Sequence, residues 1–437
     1  MKNFLSFFMI LVVSIGNVWA TELDTDVNID GVYYRLTDKP AGYDKLAIVI
    51  PHDSYKQLTN VTIKKSFSQS GKTYSVDSIS PYAFADCTNL SSVTCTETTY
   101  DRLISIGAYA FSGCNNLTSF NFPYIADNKW AIHFREIHEH AFDGCANLSM
   151  ARISVSWTIH NHAFRGCGSL TSIIINANAI EDRAFEDCSG LTSITISENV
   201  EYLSPSAFLN SCNELTSVVV EEGNSNYHSP NNCNAIISGG NLILGCRNSI
   251  IPNTVYTIPE YAFYGCTSLT SITIPNSVQI IYGFNGCTGL TSVGIPNSIY
   301  TLHGFNGCTG LTSLVIPKNV NNYTITVYGF NNCVNLTSVT ISDGGVISQV
   351  GGFNNCTSLT SINFPYGLER VNEGFNGCTS LNSIDLPNSV TYISGFNDCT
   401  SLNSIDIPNR VTYISGFNDC TSLTSLLIPK SIQKINK

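Results

Sequence analysis

The sequence predicts a repeat solenoid, a coil of short modules stacked on one another with a parallel β-sheet along the stack. Three observations carry that reading. Residues 283–298 read GFNGCTGLTSVGIPNS and residues 304–319 read GFNGCTGLTSLVIPKN, a near restatement after 21 residues. A stack needs the same unit many times over, whereas one catalytic geometry does not. Fourteen cysteines also keep a common frame, three residues after Phe and three before Leu: Cys87, Cys114, Cys145, Cys167, Cys188, Cys266, Cys287, Cys308, Cys333, Cys356, Cys378, Cys399 and Cys420, with Cys212 displaced by one residue after Phe208. Finally, only 12% of the chain is charged while 43% is hydrophobic, which is too apolar for disorder.

The chain opens with Lys2, the apolar run FLSFFMILVV and then NVWA, which places Val18 and Ala20 at the small-residue positions before a cut. Residues 1–20 therefore read as a secretory signal peptide. The run is short for a spanning helix, no stop-transfer charges follow, and Thr21 stands where a lipoprotein anchor needs Cys. The expectation is a secreted or cell-surface chain with no transmembrane segment once the signal is removed.

Within each unit, LTSITIP supplies a strand. Leu269, Ile272 and Ile274 share one face, Ser271 and Thr273 point the other way, and Pro275 ends the pairing by removing a donor. So short a strand cannot bury its apolar face alone, so successive strands must stack in parallel while the rest of each unit closes over a shared core. Two subtypes divide the array. Residues 79–212 use AF units, with two extra residues on the side opposite the strand; residues 266–437 are mostly shorter GF units, and the thinner back should alter the curvature. Residues 213–265 break the rhythm and read as a degenerate unit with a protruding hairpin, its tight turn at Gly239-Gly240. Lys430, Lys434 and Lys437 would discourage edge-to-edge pairing at the last unit.

The pattern C-x-x-L-x-x-I-x-I-P-x-x-V-x-x-I, followed by A-F-x-x-C or G-F-x-x-C, resembles the Treponema-type, or BspA-like, leucine-rich repeats of bacterial surface proteins and some protists, over residues 79–435. The resemblance implies a right-handed leucine-rich-repeat coil, with the parallel sheet on its concave face and short turns or strands on its convex face. Residues 21–78, with IDGVYYRL, LAIVIP and SGKTYSVDSI, resemble the N-terminal region of secreted members and imply a β-rich capping segment. One position departs from the general leucine-rich signature: Ser277, Ser298 and Ser389 stand where a ladder Asn or Cys is usual. The GF units instead align Asn285, Asn306, Asn331, Asn354, Asn376, Asn397 and Asn418, where stacked amides could bond rung to rung.

Seventeen cysteines in an exported chain suggest a disulfide framework. For the fourteen repeat cysteines the geometry argues otherwise. Their Cβ atoms should run parallel, about 4.8 Å apart, whereas a bridge needs about 3.8 Å and convergent vectors. They are expected as buried apolar fillers. Cys233 and Cys246 lie in the irregular unit and are candidates for a bridge; Cys95 has no evident partner.

Among groups that might carry chemistry, HEHAF at 138–142 and HNHAF at 160–164 are one repeat apart. His138 should therefore neighbour His160, and His140 should neighbour His162, with Glu181 continuing the first column. These four imidazoles are a weak candidate for zinc or copper, because turn positions align by repetition alone. Asp385 with Asp406, and Asp398 with Asp419, align as paired carboxylates on a flat exposed face, without the cleft that acid–base work needs. No nucleophile elbow, phosphate loop or HExxH helix is present, so no catalytic residue and no cofactor is assigned. A net charge of −11 without clustered Lys or Arg argues against nucleic acid as a partner.

Small hydroxyls line the strand face and make poor anchors. Tyr256, Tyr261, Tyr264, Tyr282 and Tyr328, with His303 aligned between the last two, form a turn-side stripe of the residue types that anchor interfaces. The expected function is an exported scaffold binding a protein or other extended macromolecule. The family resemblance points toward adhesion and host extracellular matrix. The alternative is a structural spacer or envelope component without a specific ligand.

Overall fold

The computed structural model describes residues 25–37, 45–96, 104–121, 134–149, 152–155, 157–320, 324–343 and 346–436. The signal-like residues 1–20 lie outside them. The chain is a β-solenoid in which equivalent residues of successive units are neighbours in space. Front strands pair in parallel, serine on serine: Ser172, Ser193 and Ser217 align, as do Ser313, Ser338 and Ser361. Leu269, Leu290 and Leu311 are all buried in one continuous core.

The sequence signalled one strand per unit, and the structure has two. Two-residue strands such as Thr257–Ile258, Ile280–Ile281 and Thr301–Leu302 pair across the back. They belong to an eleven-stranded sheet that ends at Lys434–Ile435, while the front sheet is split into shorter runs. Two residues are too few to display an alternation, which is why the sequence reads there as turn. At the other end, Thr25–Ile29, Val32–Thr37 and Lys45–Val49 pair antiparallel, and Lys45–Val49 joins Lys72–Ile79 in parallel to start the first back sheet. Tyr55 of this cap stacks on Phe84 at 4.5 Å and so closes the core's first rung.

The core is a column of phenylalanines. Phe84, Phe111, Phe142, Phe164, Phe185 and Phe208 stack in turn with centroids 5.0–5.2 Å apart. A second column runs from Phe263 through Phe284, Phe305, Phe330, Phe353, Phe375 and Phe396 to Phe417 at 4.9–5.5 Å. Each stacked pair adds about 0.5–1.5 kcal/mol beyond its buried area.

Every cysteine is buried and free. The repeat thiols are more than fillers: in eleven units, from Cys114 to Cys420, Sγ–H donates to the carbonyl of the preceding unit's Phe at 3.1–3.3 Å. Burial pushes the Cys114 thiol up to about 12, which keeps it protonated as a donor. Cys233 and Cys246, the candidates for a bridge, are free thiols. Cys233 Sγ donates to the Ala235 carbonyl and Cys246 Sγ to that of Asn234, each at 3.5 Å, so each thiol is turned into its own tight loop.

The asparagine column bonds rung to rung as expected. Asn285 Oδ1 accepts the Asn306 N–H at 3.0 Å, and the relation repeats through Asn331, Asn354, Asn376, Asn397 and Asn418 at 2.9–3.0 Å. Serine also serves at its unusual ladder position: Ser298 Oγ donates to the Val278 carbonyl at 2.6 Å and Ser389 Oγ to that of Leu368 at 2.7 Å.

Both sheets break within residues 213–265. The first back sheet ends at Tyr202–Leu203 and the next begins with Ile236–Ser238. Ile236–Ser238 and Asn241–Leu244 form the expected antiparallel hairpin around Gly239 and Gly240, both at positive φ. The hairpin does not protrude. Ile236, Ile237 and Leu242 are fully buried, since three such side chains gain more as a rung of the core than in solvent. The break is stitched by polar contacts: Asn213 Oδ1 accepts from the N–H and hydroxyl of Thr267, and the Tyr227 hydroxyl accepts the Leu203 N–H at 2.8 Å.

Candidate functional site

The candidate groups sit on the back of the coil, in columns set by the back strands and the turns after them. In the second array, an aromatic ring follows the back strand in three consecutive units. Tyr282, His303 and Tyr328 occupy that position in successive units, with ring centroids 5.4 and 5.5 Å apart. Burial lowers the pKa of His303, so its imidazole is held neutral between the two phenols. The Tyr328 hydroxyl takes hydrogen bonds from the side-chain amides of Gln349 and Asn372, which fix its ring. Tyr282 is 40% exposed and Tyr256 is 54% exposed.

Tyr256 stands one unit earlier, against Gly240, where a Cβ would meet its ring at 2.7 Å. Tyr261 and Tyr264 pair on the adjoining turn, their rings tilted with centroids 6.2 Å apart. The structure thus joins Tyr282, His303 and Tyr328 in one stripe and sets the other three tyrosines near its start. A second aromatic column was missed: Arg370 lies 4.0 Å over Tyr392, which stacks on Tyr413 at 4.4 Å, with Lys434 beyond. Its signal was available, because VTYISGF occurs at both 390–396 and 411–417.

In the first array the histidines pair as the spacing implied. His138 stacks on His160 at 5.1 Å and His140 on His162 at 4.7 Å. The second pair extends a longer stack that begins with Tyr82 and Tyr109. The ring nitrogens meet carboxylates. His140 Nδ1 is 2.8 Å from Asp143, and His162 Nε2 is 3.4 Å from Glu186, a carboxylate also approached by Arg165 and Arg183. Burial is the largest influence on His162 and lowers its pKa, against the opposing pull of Glu186. His138 Nε2 lies 3.2 Å from Glu136, and His160 Nδ1 lies 3.0 Å from Glu181. Glu136 was not anticipated, because the rungs that follow carry Thr158 and Ala179 at its place, so no repeated side chain marks it. Among the described residues no three His, Cys, Asp or Glu side chains stand ready-made as a coordination shell.

On the front, Asp385 and Asp406 are exposed on a flat face, as are Asp398 and Asp419 at their turns. A shallow recess beside Gly294 is lined by Ile272, Ile274, Pro296, Asn297 and Pro317. No helix among the described residues is long and apolar enough to cross a membrane.

The fold matches known proteins. The family described as BspA type leucine rich repeat region, in six copies, matches residues 54–129, 127–234, 244–349 and 323–437. Among solved structures, a leucine-rich repeat protein from Bacteroides ovatus is 26% identical, covering 94% of this chain and 90% of its own, with a TM-score of 0.51. A leucine rich cell surface protein from Faecalibacterium prausnitzii is 23% identical, with coverage of 89% and 96% and a TM-score of 0.51. The pneumococcal vaccine antigen PcpA is 18% identical, with coverage of 90% and 94% and a TM-score of 0.56. No curated protein matches the chain. A family match spanning both arrays, on a coil whose Cys, Phe and Leu columns are in register, settles the kinship: this chain belongs to the BspA-type leucine-rich repeat family.

Proposed function

We propose that this chain is an exported, cell-surface repeat scaffold that binds another macromolecule through its back face, in adhesion to host matrix or to another cell. The observation that carries the reading is the stripe of Tyr282, His303 and Tyr328, with Tyr256, Tyr261 and Tyr264 at its start. Tyrosine brings large, rigid contact area at low entropic cost, and here the stacked rings and the bonds to Gln349 and Asn372 have already ordered it. A shallow, weakly charged surface suits an extended protein better than a small molecule, which prefers a deep pocket. Support for a surface location comes from the relative named as a cell surface protein.

The test is binding of the purified chain to immobilised matrix proteins and to whole cells, before and after Tyr261→Ala, Tyr282→Ala and Tyr328→Ala together. Loss of three anchors worth about 2 kcal/mol each predicts a drop beyond about 1,000-fold. Unchanged binding by a folded triple variant would remove the stripe from the account and favour a spacer.

A further inference from the structure

We propose that Glu136, His138 and His160 form a binding site for a divalent transition ion of the zinc class, with Glu181 positioning His160 from behind. Glu181 Oε2 lies 3.0 Å from His160 Nδ1. In the tautomer that donates Nδ1–H to Glu181, Nε2 is the lone-pair nitrogen, the arrangement by which carboxylates orient histidine ligands. His160 Nε2 is buried and has no hydrogen-bond partner. It faces Glu136 Oε2 at 3.6 Å, while His138 Nε2 lies 3.2 Å from Oε1 of the same carboxylate. One carboxylate thus presents an oxygen to each of two imidazoles from adjacent rungs. Two electron-rich atoms facing each other out of solvent repel unless positive charge lies between them.

Repetition does not account for Glu136. Phe134 pairs with Ile104 and Ile137 with Ile106, so Arg135 and Glu136 together oppose the single residue Ser105. This bulge inserts one residue and aims an extra side chain outward, as bulges beside functional sites do. The rungs that follow carry Thr158 and Ala179 at the corresponding place, neither of them a carboxylate. The acid therefore stands on the rung where its oxygens meet both imidazoles.

Two histidines and a glutamate are a zinc donor set that leaves a fourth position for water. The rings rest 5.1 Å apart, so the site closes on its ion by tilting both toward Glu136. Their side chains, 36% and 26% exposed, have room to move. The neighbouring pair cannot do the same. No one carboxylate faces both of its rings: His140 meets Asp143, and the Glu186 that faces His162 is already held by the guanidinium groups of Arg165 and Arg183, which would repel a cation.

The experiment is calorimetric titration of the untagged, reduced, chelator-stripped full chain with ZnCl2, together with the visible spectrum of the Co2+ form. One saturable ion per chain is expected, with a tetrahedral Co2+ band free of thiolate charge transfer. Glu136→Gln and His160→Gln should weaken binding at least tenfold and Glu181→Gln about tenfold, while His140→Asn and His162→Asn leave it unchanged. No saturable binding by the unmodified chain would overturn the site, because the charge between the groups is then a proton. Equal losses in the His140 and His162 variants, or a thiolate band, would also overturn it. Should His160→Gln fail to fold by circular dichroism, Glu136→Gln at a partly exposed position and the Co2+ spectrum decide the matter.

Discussion

The two arrays close the same coil in different ways. In the first, four residues carry the chain from Ile79 to Phe84; in the second, two carry it from Ile281 to Phe284. The longer route turns through a left-handed residue that is not glycine: Tyr82, Tyr109, His140, His162 and Arg183 all have φ between 54° and 60°. Each of these pays backbone strain to project a side chain. In most of the shorter routes the glycine before Phe adopts the positive φ instead, at Gly304, Gly329, Gly352, Gly395 and Gly416, with φ 82° at Gly304. A Cβ there would lie 1.8 Å from the Tyr282 carbonyl oxygen. One core therefore supports two surfaces. The first array displays a turn-borne column of rings and charges, and the second has no such column, so its strand-borne tyrosines become the back face.

The largest expected effect tests whether the two arrays are separate cooperative units. Neither sheet crosses residues 213–265, so stability should be a sum of neighbouring-rung terms interrupted there. Phe305→Ala should cost about 3–5 kcal/mol. Hydrogen exchange should show that loss in amides of residues 266–436 and leave those of 104–203 protected as before. Phe164→Ala should give the mirror image. Uniform loss across both arrays would mean that the polar stitches at Asn213 and Tyr227 transmit the full coupling.

Next in size is the glycine. Gly304→Ala should cost about 3 kcal/mol, combining a left-handed penalty of about 1–2 kcal/mol with overpacking against backbone that cannot rotate away. The converse change in the first array, Ala163→Gly, should cost only about 1 kcal/mol. Urea unfolding measures both, and equal losses would erase the distinction between the two closures.

The front strands, the inward Cys, Phe and Leu files and the asparagine column were legible in the sequence because each rests on a side-chain identity repeated at fixed spacing. Repetition also placed His138 beside His160 and Tyr282 beside His303. What escaped was backbone-level. The back strands are two residues long, below the length at which alternation shows. The Sγ–H donors depend on where a carbonyl points, which residue type does not encode. Glu136 was invisible because it is not repeated, its counterparts being Thr158 and Ala179, and the hairpin at Gly239-Gly240 was placed outside the core because its apolar residues follow another spacing.

A smaller effect separates the ladders. Asn331→Ala removes the acceptor of the Asn354 N–H and should cost about 1–2 kcal/mol, with Asn331→Asp restoring much of it. The first array holds Asp143, Arg165 and Glu186 at the equivalent position, where partly exposed ion pairs replace the amide bonds. Arg165→Ala should cost less than about 1 kcal/mol, because such pairs are screened by solvent. Thermal melts of the two alanine variants give the comparison directly.

The smallest effect is a difference in acid sensitivity. His303 and His162 both have pKa values lowered by burial. Above the ordinary imidazole value of about 6.5, both are neutral whether the chain is folded or unfolded, and pH does nothing through them. As pH falls below that value, the unfolded chain takes up a proton that the folded chain still refuses, so stability declines toward acid. At His303 burial is the sole cause and no carboxylate offsets it, whereas at His162 the carboxylate of Glu186 pulls the other way. His303→Gln should therefore flatten the decline of the second array between about pH 7 and pH 5 more than His162→Gln flattens that of the first. Hydrogen-exchange protection of each array, compared at the two ends of that window, reads the slopes separately. A steeper contribution from His162 would mean that the turn column, not the tyrosine stripe, holds the more strictly neutral imidazole.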